Sequence, residues 1–244
     1  MILARISKAV REQNWFAVAL EFVIVVAGVL LAFQISQYAE RRNMQSEARV
    51  SLEMLQASME VNLARIESYR DHLAVNRDGI QALRQTLANL PETPDEETLN
   101  RQVTLAFNAP VLGLDLRAAD QFESIPGRPL LERPDVETAL HRWRRVHAEL
   151  LGSEAHLDRF ITALAEPGRY DGLSHESMTS VFSSQLAVEW ASPRFPTDWA
   201  RLVQDEDFAG HLAYVELMLE YLLVVSQRLE GATRDMIELA EADS

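Results

Sequence analysis

Hydrophobic positions divide the chain into one uniformly apolar stretch and several stretches in which apolar residues recur every three or four positions. The uniform stretch covers residues 15–35 and contains a single charged residue, Glu21. A helix of about 21 residues rises roughly 30 Å, which matches the hydrocarbon core of a bilayer. Trp15 and Tyr38 stand near its two ends, where amphipathic rings favour the headgroup region. The pattern therefore predicts a transmembrane helix over residues 15–35.

A three-and-four rhythm then begins at Leu52 and predicts one long helix. Its positions, called the seam below, are Leu52, Leu55, Met59, Asn62, Ile66, Tyr69, Leu73, Asn76, Ile80, Leu83, Leu87 and Leu90. This spacing places one apolar stripe along a helix that packs in a bundle or a coiled coil. We expect the two asparagines to lower stability but fix the register of packing. We expect Gly79 to weaken the helix by about 1 kcal/mol relative to Ala.

The long helix is expected to end at a short stretch rich in proline and acidic residues, Pro91–Glu97. The same stretch should start a new helix, with Thr93 as its cap and Pro94 in its first turn. Residues 108–133 contain several glycines and prolines and are predicted to form a loop with short helical turns.

Two more stretches with apolar spacing of four and three predict long helices. One opens at Pro134 and stops at Pro167-Gly168, and the last begins at about Asp205. A shorter helix is predicted between them, from Ser174 to about Trp190. No stretch shows the alternation of a strand. The predicted fold class is all-α, with one N-terminal transmembrane helix that continues into a long-helix antiparallel bundle or coiled coil.

The predicted organisation is a short cytoplasmic tail over residues 1–14, the transmembrane helix, and an acidic α-helical domain over residues 36–244. A second apolar stretch, Leu217–Val225, is too short and too interrupted by glutamates to cross a membrane. Basic residues are balanced around the span, so the positive-inside rule gives no direction. The layout is that of an uncleaved signal anchor, which favours a periplasmic body. The alternative is a cleaved signal peptide, but the Ala-x-Ala-like site that cleavage needs is missing.

Composition removes several classes of function. The net charge of −14 makes binding to nucleic acid unfavourable, because an acidic surface repels phosphates. The absence of cysteine removes disulfides and thiolate zinc sites. None of the six histidines has an acidic residue three positions before it, so a bundle di-metal site is not expected. Motifs for nucleotide binding or hydrolysis are missing. We therefore predict no enzyme activity, no cofactor and no metal.

Small residues and one acid share a face of the predicted transmembrane helix. At 100° per residue Glu21, Gly28 and Ala32 fall close to one line, and Ala17 and Ser36 flank it. Such a row lets two helix backbones approach closely. We predict a helix-packing face in which a protonated or hydrogen-bonded Glu21 pairs with a neighbouring helix. The alternative is that the Glu21 side chain extends to the nearby headgroups.

The segment Leu20–Glu40 resembles the signature of an uncharacterised bacterial family of single-span proteins with a helical C-terminal region. That signature reads roughly Gly-Glu-Ile-x-Leu-Val-x-x-Gly-Ile-Leu-Ile-Ala-Leu-Gln-Ile-Asn-x-Trp-x-Glu. The matching residues are Glu21, Gly28, Ala32, Gln34 and Glu40. Leu20 replaces the Gly of the signature, and Tyr38 replaces its Trp. The resemblance implies an inner-membrane anchor and carries no activity with it.

Two weaker candidates lie on the helix that opens at Pro134. His147 and Glu154 fall on its apolar rhythm and form a candidate pH-sensing pair; the alternative is that both side chains are solvated. The basic run His141–Arg145 would suit an anionic lipid or partner, or else forms a solvated face that balances nearby acids.

The sequence supports two functional hypotheses. The first is a membrane-anchored scaffold or accessory subunit that contacts lipid and forms a homo-oligomer, with a further membrane protein subunit as a candidate partner. The alternative is a periplasmic sensory or ligand-binding helical domain. It would signal through a partner subunit, since the predicted tail is too short for an output domain.

Overall fold

The computed structural model describes residues 15–108, 110–164, 166, 168–174, 176 and 196–242. In these ranges the chain is all-helical and contains no strand, so the predicted fold class is confirmed. The helices are α1 (Trp15–Ala88), α2 (Glu96–Phe107), α3 (Arg117–Ser124), α4 (Pro134–Leu164), α5 (Trp199–Leu202) and α6 (Glu206–Glu241), and a 3-10 turn covers Arg128–Leu131. The helix predicted from Ser174 to Trp190 lies almost entirely outside the described residues.

The chain divides into two compact units. The smaller comprises Met1–Leu52 with Gln121–Glu132, and the larger comprises Glu53–Asp120 with Arg133–Ser244. Helix α1 runs without a break through the predicted span and the seam, as the apolar pattern indicates. No proline interrupts it to remove a hydrogen bond from its ladder.

The seam of α1 is buried along its length. All its positions from Leu52 to Leu87 are buried, and Leu90, which lies beyond the end of the helix, is half-buried. The predicted rhythms of the other two long helices are also confirmed. Helix α4 buries Leu140, Trp143 and Leu157 among others, and α6 buries a continuous stripe of Phe208, Leu212, Val215, Leu219, Leu222, Ser226, Leu229, Thr233, Met236 and Ala240.

In the larger unit, side-chain contacts fix the direction of α6 against its two neighbours. Along α1 the partners of Gln56, Glu67, Arg70 and Arg84 on α6 are, in that order, Glu241, Arg234, Glu230 and Glu216. Along α4 the partners of Trp143, Glu149 and His156 are Thr233, Arg228 and Tyr214. Numbers rise on one helix as they fall on the other, so α6 is antiparallel to both α1 and α4. As far as its residues are described, the larger unit is a bundle of three long helices, and their stripes form its core.

The helix ends follow capping chemistry, with one correction. Helix α4 starts at Pro134 and α6 begins directly after Asp205, as expected. The Asp205 carboxylate caps α6 by accepting a hydrogen bond from the Phe208 N–H at 3.0 Å. The prediction that Thr93 caps α2 is wrong. The cap is Asp95, whose carboxylate accepts from both the N–H and the hydroxyl of Thr98. A carboxylate with two acceptor oxygens satisfies both donors at once.

Gly79 has a different role from the one expected. A Cβ placed on Gly79 would lie 2.7 Å from the Cβ of Leu105, closer than side chains pack. The missing side chain lets α2 approach the backbone of α1 at this point. Gly79 is therefore a contact point between two helices and not simply a weak position in one.

In the smaller unit, the turn after α3 lies directly on α1. A Cβ on Gly127 would lie 2.2 Å from the carbonyl oxygen of Met44, so only glycine fits there. Phe122 and Ala48 are buried in the same unit. The turn is thus held at a fixed level along α1.

Candidate functional site

The apolar first part of α1 is exposed. Its side chains from Val18 to Asn43 lie at the surface, and none of the most apolar window of the helix is buried. The most exposed of its large side chains include Phe22, Val29, Leu31, Ile35 and Tyr38. Water is a poor environment for such a surface, because each fully exposed side chain of this kind forgoes about 1.5–3 kcal/mol of burial.

The predicted packing face lies on this exposed part of α1. Glu21, Gly28, Ala32 and Ser36 are exposed and share one side of the helix, and Ala17 lies one turn before Glu21. No described atom outside the helix backbone and the adjacent residues lies within 4 Å of a Cβ placed on Gly28. Among the described residues this face is uncovered and open to a second helix.

Within the part of the chain that the structure describes, two helices, α1 and α6, are long and apolar enough to cross a membrane. They differ in what surrounds the apolar window: 0% of it is buried in α1, whereas 39% is buried in α6. The core stripe of α6 explains part of its hydropathy, because those side chains face α1 and α4.

His147 and Glu154 have separate surroundings. The His147 imidazole is buried and stacks on Trp143, with ring centroids 5.6 Å apart. Burial lowers its pKa, and the positive charge of Arg144 lowers it further. Glu154 is half-buried one heptad further along, where it accepts a hydrogen bond from the backbone N–H of Leu112 at 2.9 Å. The pair shares one face of α4, but each group interacts with different neighbours.

The polar positions of the seam hold a connecting segment, residues 110–116, called the strap below. Asn62 makes two hydrogen bonds to the backbone of Asp115, one to its carbonyl and one from its N–H, both 2.9 Å long. Arg65 donates to the carbonyl of Gly113. Asn76 donates to the carbonyl of Asn108, just before the strap. The two asparagines therefore bind backbone groups of a connecting segment, and their role in fixing the register of helix packing stays a prediction.

The strap contains no helix or turn, and its contacts give its direction. The partners of Asn62 and Arg65 on α1 are Asp115 and Gly113, so residue numbers rise along α1 as they fall along the strap. The strap runs antiparallel to α1, and Glu154 of α4 holds its other side at Leu112.

A hydroxyl and a carboxylate meet beneath the strap. The Tyr69 side chain is buried in the seam and its hydroxyl faces Glu154, although the contact does not reach hydrogen-bond geometry. Burial and the charge of Glu154 together raise the pKa of Tyr69. Burial also raises the pKa of Glu154, against the effect of the Leu112 N–H. An ionised Glu154 is therefore disfavoured here relative to water.

A second polar cluster, not expected from the sequence, joins α4, α6 and the turn after α4. The Nε2 atom of His211 donates to the carbonyl of Phe160 at 2.9 Å, because a carbonyl can only accept. Its Nδ1 atom lies 2.8 Å from the hydroxyl of Tyr170. Burial lowers the pKa of His211, and the positive charge of Arg169 lowers it further. The hydrogen bond to the Phe160 carbonyl acts in the opposite direction and raises it. Both ring nitrogens are thus satisfied in the neutral form, and the cluster pins the turn to the bundle.

The basic run on α4 faces nearby acids. Arg142 pairs with Asp235, Arg144 pairs with Asp120, and Trp143 between them is buried. Surface pairs of this kind contribute at most about 1 kcal/mol each. This matches the second interpretation of the run, a face that balances neighbouring carboxylates.

Neither a search for metal-binding groups nor comparison with known proteins assigns a function. In the described ranges, no three His, Asp or Glu side chains are grouped closely enough to hold an ion. Comparisons with protein-family models, with curated proteins and with solved structures found no match to this chain.

Proposed function

We propose that this protein is a single-pass scaffold or accessory subunit of the bacterial inner membrane that associates with itself through its span. One observation carries the proposal: a single unbroken helix is uniformly apolar and exposed in its first part, and is the core helix of a bundle further along. A bilayer is the environment that suits the first part. The resemblance of Leu20–Glu40 to a family of inner-membrane anchors supports the same location.

Self-association is proposed from the small-residue face. Gly28 and Ala32 would let two copies of α1 approach closely, and a polar Glu21 on the same face would find a hydrogen-bonding partner in the second copy. Interhelical contacts of this kind contribute about 0.6–2 kcal/mol each in membranes.

Native mass spectrometry of the full chain in nanodiscs tests the self-association. We expect a homo-oligomer for the parent chain and a shift toward monomer in Gly28→Leu, since a large side chain would separate the backbones. Val29→Leu is the matched control, because it adds bulk next to Gly28 on a different face. A parent chain that is monomeric at all lipid ratios would contradict the proposal.

The orientation has its own test. We propose that the helical body lies in the periplasm and that residues 1–14 lie in the cytoplasm. A C-terminal alkaline phosphatase fusion should be active, and a C-terminal green fluorescent protein fusion should be dark. The reverse result would place the body in the cytoplasm.

A second function, ligand sensing, has one observation in its favour. An open groove of about 620 Å³ lies between α1 and the strap, with Val61, Ala64, Tyr69 and Leu112 in its lining. A small amphipathic ligand would suit this lining, and a partner subunit would carry the signal. Co-purification of a stoichiometric small molecule that is lost in Val61→Asp would favour this function over the scaffold.

A further inference from the structure

The turn after α3 carries more apolar surface than its surroundings cover. In residues 125–131 the side chains of Ile125, Leu130 and Leu131 are only half-buried, and Pro126 and Pro129 are exposed. None of the residues in the 3-10 turn Arg128–Leu131 is buried. These five side chains give one short segment an apolar surface that is partly open to contact with another surface.

The position of this turn along α1 is fixed. Gly127 lies against the carbonyl of Met44 with no room for a side chain. The guanidinium of Arg128 donates to the carbonyl of Glu123 at 3.0 Å, which closes the turn on itself. The turn therefore sits at the level of Met44 and does not swing freely.

That level is close to the edge of the membrane if α1 crosses it as proposed. Met44 is nine residues beyond Ile35, or about 14 Å along a helix. The headgroup layer on each side of the hydrocarbon core is roughly 5–7 Å thick. The turn then lies about 7–9 Å above the headgroups, and a typical helix tilt of about 20° shortens this distance.

Two basic side chains of α1 lie near the same membrane edge as the turn. Arg41 and Arg42 are exposed, and the Arg42 guanidinium lies over the Tyr38 ring, 6.0 Å from its centroid. Both groups are suited to the headgroup level, where Tyr rings and Arg side chains meet lipid phosphates. Apolar turn and basic helix stretch thus belong to one compact unit.

We propose that residues 125–131 face the headgroup layer of the bilayer that α1 crosses and touch it when α1 tilts toward them. This inference depends on the proposed function, because it requires α1 to be a transmembrane helix. In that contact the phospholipid headgroups cover the exposed prolines and half-buried leucines. The contact limits how far α1 tilts in that direction.

The absence of cysteine makes a clean labelling experiment available. Single cysteines are introduced into the full chain at Leu30, Val50, Pro126 and Pro129, all exposed sites, and carry one environment-sensitive fluorophore each. The proteins are placed in phosphatidylcholine–phosphatidylglycerol nanodiscs with a nitroxide on the headgroup or in mid-chain. Leu30 reports the span, and Val50, six residues beyond Met44 on α1, reports the aqueous control position.

We expect mid-chain nitroxide to quench Leu30, and headgroup nitroxide to quench Pro126 and Pro129 at least twofold more than Val50. If Leu30 is quenched but both turn labels behave like Val50, the turn does not touch lipid and this inference is overturned alone. If Leu30 is not quenched by either lipid, α1 does not cross the membrane and the proposed function fails with it. Two turn labels guard against a local effect of replacing one proline.

Discussion

The two parts of α1 are both rich in large apolar side chains, yet they meet opposite surroundings. From Val18 to Asn43 the apolar residues point in every direction and are exposed. From Leu55 to Leu87 they follow one stripe, which is buried against other helices, while the remaining faces carry charged residues that pair with α6. One helix thus combines the two patterns that separate a bilayer-facing helix from a core helix.

The comparison shows that the distribution of apolar residues around the helix, more than their number, determines what the helix packs against. A stripe can be buried by two neighbouring helices, whereas a uniformly apolar helix needs apolar surroundings, protein or lipid, on all sides. Helix α6 lies between these cases, since its core stripe is supplemented by exposed Leu217 and Val224.

The largest effect is expected from truncating matched isoleucines in the two parts of α1. Ile80 is fully buried in the seam and Ile24 is exposed. Ile80→Ala should lower the free energy of unfolding by about 2–5 kcal/mol, because it leaves a cavity. Ile24→Ala should leave it unchanged. Denaturant unfolding of the full chain in mild detergent, followed by near-UV circular dichroism, measures both. Equal losses would break the comparison.

Removing a seam polar group should have the next largest effect. Asn62→Ala deletes both hydrogen bonds to Asp115 and leaves half-buried backbone groups without those partners. We expect a loss of about 1–3 kcal/mol in the same unfolding assay. Asn89→Ala is the control, since that exposed amide donates only to the carbonyl of Gln85 within its own turn. Two variants of equal stability would show that the strap is not held by Asn62.

The two glycines of α1 sharpen the comparison further. Gly79→Ala should cost about 1–3 kcal/mol, because the new Cβ collides with Leu105 and forces α2 away. Gly28→Ala adds a Cβ that meets no atom within 4 Å and should not destabilise the bundle. If Gly79→Ala raises the stability, as helix propensity alone dictates, the close approach of α2 is wrong.

The smallest effects concern the pH dependence of stability, which tests how strongly burial desolvates His147 and Glu154. The pKa of His147 is lowered on folding, so its contribution is complete above about pH 6.5 and is lost as pH falls through the folded value. His147→Phe should flatten the decline in stability on acidification.

The pKa of Glu154 is raised, so the folded state takes up a proton more readily and gains stability as pH falls. Glu154→Gln should therefore steepen the same decline. Unfolding midpoints measured between pH 7.5 and 5 give the dependence of stability on pH for the parent chain and for each variant. If both variants show the same pH dependence as the parent chain, the expectation is contradicted.

The long helices could be predicted from sequence because each core side chain recurs at the helical period. Seam positions such as Leu73 and Ile80 need no knowledge of the partner, since any bundle would bury them. The start of α4 at Pro134 and the cap at Asp205 are likewise local chemistry. Thr93 was the wrong cap for α2 because two residues in that stretch fit the local rule, and Asp95 satisfies the donors of Thr98 better.

The candidate site could be predicted only in part, since its contacts join distant residues. The asparagines of the seam suggest a buried partner but not which one, and Asp115 lies in a segment without periodicity. The pair His147 and Glu154 could be placed on one face, whereas their separate neighbours, Trp143 and Leu112, depend on tertiary packing. The same holds for Gly79, whose fit against Leu105 has no local signal.

The pairing of α1 with α6 has a consequence for biosynthesis. Gln56 meets Glu241 across 185 positions of sequence, and Arg70 meets Glu230 across 160. The apolar stripe of the first helix therefore leaves the ribosome long before the residues that will cover it have been translated. During that interval the nascent chain exposes an apolar surface that its partner helix has yet to cover. A holdase chaperone that binds the incomplete polypeptide would prevent neighbouring nascent chains from aggregating through these stripes.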